Sequence, residues 1–231
     1  MVLALFIAFL FLGCAEAERD NPQDPKASNY DPSLIKVSYG GRTYKIVVIG
    51  SQTWMAENLN YEVSGECYGD DPSNCATYGR LYDWATAMNL PSSCNTSTCS
   101  DQINNPHRGI CPEGWHLPSK AEWDALESYV ERNSGCSGCS EFRLKATSGW
   151  NHEGNGTDNY GFSALPGGYS GCEACDSYFD DVGDYGWWWL ASEHNATGAS
   201  HRFMYHGFGL SPPAFSSRPK NLGFSVRCIK D

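Results

Sequence analysis

Cysteine is the residue type in this sequence that offers the most chemistry. The chain of 231 residues contains 11 cysteines. Without Cys14, which lies in a predicted N-terminal signal, an even number of cysteines remains. This is typical of a disulfide framework, here of five bridges, in an exported protein. Two short separations and one long connection from mid-chain to the C-terminus predict three of the pairs. They are Cys67 with Cys75, Cys94 with Cys99, and Cys111 with Cys228.

Two Cys-x-x-Cys pairs lie in the second half of the chain. Cys136 with Cys139 and Cys172 with Cys175 have the ligand spacing of a four-cysteine zinc site. In an oxidising compartment such thiols form disulfides, so we expect oxidation within or between the pairs, with zinc as the alternative. A redox-active dithiol is disfavoured, because neither pair is predicted to open a helix that would stabilise a thiolate.

Acidic residues cluster between the second cysteine pair and a run of tryptophans. Hard cations such as Ca²⁺ prefer several carboxylate or carbonyl oxygens, so a structural Ca²⁺ in this loop stays open as an alternative to a solvated acidic loop. The spacing does not match an EF-hand, and we assign no metal ligand. The four aspartates are Asp176, Asp180, Asp181 and Asp184.

The histidines give no catalytic arrangement. His201 and His206 are five residues apart, so in a continuous strand they point to opposite faces and cannot share an ion. His152 has Glu153 and Asp158 nearby in a glycine-rich loop, but nothing in the sequence fixes an acid–base geometry. The chain also lacks a nucleophile elbow, a phosphate-binding loop and a His-Glu-x-x-His helix. We therefore assign no catalytic residue and predict that the protein is not an enzyme.

Consecutive tryptophans form the strongest candidate for a ligand surface. Flat aromatic faces bind sugars and anchor peptides. In a strand, Trp187 and Trp189 share one face and Trp188 takes the other, so at least one face is expected to be core. We expect most of the three tryptophan rings to pack in the core. One of them, with its aromatic neighbours, is expected to form a ligand surface. The candidate ligand-binding residues are Trp187, Trp188, Trp189, Tyr178, Phe179 and Tyr185.

The elements that must position these residues are short. Gly40 and Gly41 separate two β-branched or apolar runs, a pattern typical of a hairpin. Ser119 followed by Glu122 is a capping box and predicts a helix continuing through Val130. The spacing of Leu81, Trp84, Ala85 and Met88 predicts an earlier short helix ending near Asn89. The predicted strands span 37–39, 42–49, 187–192, 202–205 and 224–229.

The N-terminal residues predict an export signal. Val2 to Leu12 is an apolar run too short to span a bilayer and close in length to the core of a signal peptide. The segment that ends it, Leu10-Phe-Leu-Gly-Cys14, resembles the bacterial lipobox, which implies lipidation of Cys14; a plain cleaved signal peptide is the alternative. We predict a signal at 1–14, a polar, proline-containing tether at 15–33 and one folded domain at 34–231.

Net charge excludes one class of partner. The chain has 16 basic and 27 acidic residues, for a net charge of -11. A protein this acidic without a basic stripe lacks the phosphate contacts that nucleic-acid binding needs. Nucleic acid is therefore not an expected partner, and the membrane is expected to be reached through the lipid anchor.

Five strings of the folded part stand out: Trp54 to Leu59, Tyr78 to Trp84, Cys111 to Ser119, Tyr160 to Tyr169 and Gly223 to Cys228. In this order they resemble successive blocks of the Fibrobacter succinogenes major paralogous domain family. The resemblance implies a secreted or lipid-anchored bacterial protein. That family is similar to the C-type-lectin-like fold, in which Leu117-Pro-Ser-Lys-Ala-Glu-Trp123 would open a helix. It implies an α+β fold with two short helices, small antiparallel sheets and long disulfide-stapled loops.

The activities known on this scaffold do not carry over. Formylglycine-generating enzymes use a copper-binding cysteine pair shortly before the terminal block, and no cysteine lies between Cys175 and Cys228. The ligand strings of calcium-dependent lectins, Glu-Pro-Asn or Gln-Pro-Asp with Trp-Asn-Asp, are also missing. A shared scaffold alone implies no activity.

The sequence therefore predicts a non-catalytic, lipid-anchored binding or adhesion module of the cell envelope, in the outer membrane or on the cell surface. Its ligand would be a glycan or a protein, and it needs no cofactor. A purely structural envelope protein is the alternative, and an oxidase of the formylglycine-generating type is the remote one. A binding module predicts an aromatic patch that stays exposed at Trp187 or Tyr185, whereas a structural protein predicts that every tryptophan is buried.

Overall fold

The structure, a computed structural model, describes residues 35–62, 65–171, 178–207 and 217–231. The predicted signal peptide with Cys14, the predicted tether, and Cys172 and Cys175 lie outside these residues. The described part is an α+β protein with two five-stranded sheets. The predicted α+β class is confirmed at this level.

The first sheet brings the first strands of the described part and the last residues of the chain together. Its strands lie in the order β1-β2-β3-β10-β4, and each pair of adjacent strands in it is antiparallel. Gly40 and Gly41 adopt φ of 57° and 75°, the left-handed values that a tight two-residue hairpin turn requires. The predicted hairpin is confirmed. The strands are Lys36–Tyr39 (β1), Arg42–Ile49 (β2), Gln52–Met55 (β3), Trp115–His116 (β4) and Ile229–Lys230 (β10).

The second sheet carries the tryptophan run. Its order is β6-β5-β7-β8-β9. One pair is parallel, β5 with β7 through Gly168 and Gly186, so the expectation of purely antiparallel sheets was wrong here. The predicted last strand is also shorter: Phe224 and Ser225 make only isolated bridges. The strands are Gly167–Ser170 (β5), Phe179–Val182 (β6), Tyr185–Glu193 (β7), Gly198–Tyr205 (β8) and Ser217–Pro219 (β9).

Both predicted helices form, one as expected and one shortened. The Ser119 hydroxyl accepts the Glu122 amide while the Glu122 carboxylate accepts the Ser119 amide, so the predicted capping box is present. The earlier helix begins only after Asp83, whose carboxylate caps it, because Leu81 pairs with Glu66 in a β-bridge. No described helix is long and apolar enough to cross a membrane. The helices are Pro72–Tyr78 (α1), Trp84–Ala87 (α2), Lys120–Ser134 (α3) and Ser140–Leu144 (α4).

Three disulfides hold the loops between these elements, and they are the three pairs predicted individually. Cys67 bonds to Cys75 and Cys94 to Cys99, each closing a small loop. The third, Cys111 to Cys228, joins residues 117 apart in the sequence and lies fully buried beside the first sheet. Together the three bonds attach long connecting segments to the core. Secondary structure alone does not hold these segments there.

A buried histidine links the first sheet to α3 and to the C-terminal residue. His116 Nε2 lies 2.7 Å from Glu122 Oε1, and Nδ1 lies 2.6 Å from Asp231 Oδ1. Burial alone would lower the pKa of His116, but these two carboxylates outweigh it and raise the pKa above 6.5. Burial likewise opposes ionisation of Glu122, yet hydrogen bonds from His116 and Ser119 bring its pKa down to about 2.

This cluster predicts a bell-shaped dependence of stability on pH. Glu122 contributes stability that is present above its ordinary pKa of 4.5 and is lost as pH falls towards about 2. His116 contributes stability that is present below 6.5 and is lost as pH rises through its raised pKa. We expect the free energy of unfolding in urea to be highest at about pH 5.5. Because each group shifts the pKa of the other, His116→Gln should remove the alkaline slope and reduce the acid one, and Glu122→Gln should remove the acid slope and reduce the alkaline one. Exchange of the exposed Glu113 for Gln is the control and should leave the profile bell-shaped.

Candidate functional site

The tryptophan run occupies the centre of the second sheet and is buried on both faces. Trp188 and Trp189 are 0% exposed. Their indole nitrogens donate hydrogen bonds to Asn58 Oδ1 at 2.9 Å and to the Tyr82 carbonyl oxygen at 2.8 Å. Both belong to the core, so the prediction that they line a ligand surface does not hold. Trp187 is 5% exposed, and only this one of the three reaches a surface depression.

An aromatic strip follows the Trp187 face of β7 and β8. We use this name for Tyr169, Tyr185, Trp187, Phe203 and Tyr205. The ring of Tyr185 stacks on Trp187 at 5.4 Å with 19° between the planes, and Phe203 lies 4.9 Å from Trp187. Apart from Trp187 the members are half-buried, so each of these residues is partly accessible to solvent. The strip arises because paired residues of antiparallel strands point to the same face.

Two charged side chains stand at one end of the strip. Trp187 Nε1 donates to Asp181 Oδ2 at 3.2 Å, and the guanidinium of Arg218 lies 5.1 Å over the Trp187 ring. Burial raises the pKa of Asp181, the nearby carboxylates of Asp180 and Asp184 add to this, and Trp187 and Arg218 oppose it. The indole is thus held between a hydrogen-bond acceptor and a cation.

A shallow depression opens between these charged groups and the strip. It has a volume of about 80 Å³ and is lined by Asp181, Trp187 and Arg218 together with Tyr169, Leu222 and Phe224. A buried water needs roughly 10–15 Å³ of such space, so the depression holds several waters or one small group of a ligand. A ligand larger than this would extend over the half-buried rings of the strip.

The remaining aromatic residues predicted for the site lie beside it. Tyr178 is 53% exposed, and its hydroxyl donates to Glu66 Oε1 at 2.9 Å. Phe179 packs against Tyr68 with ring centroids 5.4 Å apart. The structure therefore brings Tyr185 and Trp187 together in one surface and leaves Tyr178 and Phe179 outside it.

A histidine and aspartate cluster borders the far end of the strip. Asp184 Oδ1 lies 3.3 Å from His206 Nδ1 and 3.7 Å from His152 Nε2. The His206 ring also meets Tyr185 at 6.5 Å. His152 thus pairs with Asp184, whereas Asp158 accepts hydrogen bonds from the Ser163 amide and hydroxyl. The acid–base set considered from the sequence does not assemble, and no group of three metal-ligating side chains occurs among the described residues.

The first Cys-x-x-Cys pair carries free thiols in the structure. Cys136 is exposed and Cys139 half-buried, which differs from the disulfide predicted for this pair. Burial works against ionisation of Cys139, but hydrogen bonds from Cys136, Ser134 and Arg143 lower its pKa. The hydrogen bond between the two thiols raises the pKa of Cys136. Cys139 also directly precedes the short helix α4, so the expectation that no helix follows was wrong.

The other members of the strip were not identified from the sequence, although a signal for some of them exists. Phe203 and Tyr205 alternate along β8 and share their face with Tyr185 and Trp187. Alternation over 198–205 would have identified them once the pairing of β7 with β8 was known. Arg218 has no comparable signal, because only the addition of β9 to β8 brings it over Trp187.

The fold and this site define a disulfide-stapled α+β protein with an aromatic surface beside Trp187. A family model described as the Fibrobacter succinogenes major domain matches residues 47–230. The chain therefore belongs to this family, as its sequence blocks indicated. Neither the curated proteins nor the solved structures include a match to the chain.

Proposed function

We propose that this protein is a non-catalytic, lipid-anchored binding module of the cell envelope that holds glycans on its aromatic strip. The observation that carries the proposal is the row of half-buried rings beside Trp187, which ends at the opposite charges of Asp181 and Arg218, each in contact with the Trp187 ring. Rings of this kind stack against the apolar face of a sugar. The carboxylate and the guanidinium supply an acceptor and donors for its hydroxyl groups.

The location in the envelope is part of the same proposal. It is supported by the apolar run before Cys14, by the lipobox-like segment and by the three disulfides, which persist in oxidising compartments. The finer fold that we propose is C-type-lectin-like. Its support is the helix opened at Ser119 and the pairing of β10 with β3 and β4, which joins the two ends of the domain.

The test is binding of the full chain to an array of neutral and acidic oligosaccharides, followed by titration calorimetry. Tyr185→Ala removes one open ring of the strip, and we expect affinity for the bound glycan to fall about tenfold or more, equal to about 1.4 kcal/mol. Arg218→Gln should also weaken binding, because it removes donors beside the ring. The control is Tyr178→Ala, an exposed tyrosine outside the strip, which should leave affinity unchanged. Circular dichroism checks that each variant is folded.

A purely structural envelope protein is the second candidate, and one observation favours it. All eight tryptophans of the chain are buried, which is what that reading predicts. The same experiment distinguishes a binding module from a purely structural protein. A folded wild-type chain that binds no glycan on the array contradicts the binding module, and equal loss in the Tyr178 and Tyr185 variants contradicts the strip as its site.

A further inference from the structure

A groove separate from the aromatic strip runs between the first hairpin and the segment that follows the Cys94–Cys99 loop. Its volume is about 440 Å³, within the range of roughly 300–1,000 Å³ that is usual for ligand sites. Its apolar floor is made by Met88, Leu90 and Ile110. The groove is thus large enough for one or two sugar residues.

Two tyrosines form one wall of this groove. The rings of Tyr39 and Tyr61 lie 4.5 Å apart with 43° between their planes, and both are half-buried. The Tyr61 amide donates to the Tyr82 hydroxyl at 2.8 Å, which holds its backbone in place. A Cβ at Gly40 would lie 2.5 Å from the Tyr61 ring, so only glycine allows the hairpin turn to approach so closely.

The opposite wall is polar and is held rigidly. His107 Nδ1 accepts the Asn104 amide at 3.1 Å, and Nε2 lies 2.7 Å from the Met88 carbonyl oxygen. These two contacts fix the orientation of the His107 ring. The exposed side chains of Asn89, Gln102 and Asn104 also line the groove, and their amides match the donors and acceptors of sugar hydroxyl groups.

Arg108 is the one formally charged residue among the described residues that line the groove. Its Nε donates to the Cys111 carbonyl oxygen at 3.0 Å, which anchors the exposed guanidinium next to the buried Cys111–Cys228 disulfide. A guanidinium binds a planar carboxylate through two parallel hydrogen bonds. A single guanidinium among neutral donors and acceptors thus favours a ligand with one anionic group, and a sugar carboxylate matches its two parallel donors.

We infer that the groove between Tyr39, Tyr61 and Arg108 is a second binding site that takes a carboxylate-bearing sugar, a hexuronic acid residue of an acidic oligosaccharide. The tyrosine rings cover the face of the sugar ring, the amides bind its hydroxyl groups, and Arg108 binds the carboxylate. The site shares no residue with the aromatic strip, so it stands or falls independently of the function proposed for the strip.

The test is calorimetric titration of the full chain with tri-galacturonic acid and with a neutral trisaccharide of galactose. We expect the wild type to prefer the acidic probe. Arg108→Gln should weaken binding of the acidic probe by about tenfold or more and leave binding of the neutral one unchanged. Arg108→Lys keeps the positive charge but lacks the two parallel donors of the guanidinium. Its affinity for the acidic probe should therefore lie between that of the wild type and that of Arg108→Gln. The matched control is Lys120→Gln, which removes an exposed cation on α3.

Three results would overturn the inference. They are failure of the wild type to bind the acidic probe, a preference for the neutral probe, and an equal loss in the Lys120→Gln control, which would mean non-specific attraction. Tyr39→Leu gives a second measurement that does not involve charge and should weaken both probes. If Tyr185→Ala abolishes binding of the acidic probe while Arg108→Gln does not, the acid binds to the aromatic strip and the groove is excluded.

Discussion

Replacing Cys111 and Cys228 together by alanine is expected to lower the free energy of unfolding by about 4 to 5 kcal/mol. The bond closes a loop of 117 residues, and the loss of chain entropy on closing a loop grows with its length. It also joins the end of the chain to the segment before β4, and thereby holds β10 between β3 and β4. Urea unfolding of the wild type and the double variant under oxidising conditions measures the difference.

The matched control is the pair Cys94→Ala and Cys99→Ala. Both sulfur atoms of that bridge are also buried, so the loss of packing is similar, but the separation is only 5 residues. The same entropy argument gives about 2 kcal/mol for the short loop. Equal losses in the two double variants would contradict the role assigned to the long connection.

Lys220→Met is expected to destabilise the protein by about 3 to 5 kcal/mol. The ammonium group is 0% exposed and donates to Glu193 Oε1 at 2.5 Å. It also donates to the carbonyl oxygens of Cys94, Ser97 and Ala196, and it lies 4.6 Å from the Trp84 ring. Methionine has a similar length but no donor, so the variant leaves a buried carboxylate and three carbonyl groups without their partner.

Two further variants show whether the loss comes from the unpaired charge. Lys220→Met combined with Glu193→Gln removes the charge on both sides, and we expect it to recover part of the stability. Lys120→Met breaks the exposed pair with Asp124 and should cost less than about 1 kcal/mol. A loss of that small size for Lys220→Met, measured by urea unfolding, would contradict the account of the buried ammonium.

The sequence correctly predicted those elements whose conformation depends on residues close together in the chain. The Gly40-Gly41 turn needs positive φ at both positions, and the capping box at Ser119 satisfies the first amides of α3, so neither depends on distant contacts. The parallel pairing of β5 with β7 had no such signal. It depends on Gly168 and Gly186 meeting across a long connection, which no local pattern encodes.

The site shows the same division. Alternation correctly placed Trp187 and Trp189 on one face and Trp188 on the other, but it could not show that both faces are covered. A hydrophobic cluster covers the face of Trp187 and Trp189. Contacts of Trp188 with Asn58, Trp123 and Arg227 cover the other face. The groove at Tyr39, Tyr61 and Arg108 was not identified at all. Its walls come from three separate segments, and their approach depends on tertiary packing.

The indole N–H spectrum of the full chain, titrated with the glycan selected on the array, tests the central claim most directly. Trp187 Nε1 donates to Asp181 Oδ2 at the edge of the depression, so a sugar bound to the strip changes its signal. Trp188 and Trp189 donate within the core, and their signals should stay in place. A shift confined to Trp187 is the predicted result, and an unchanged Trp187 signal under saturating glycan would contradict the account.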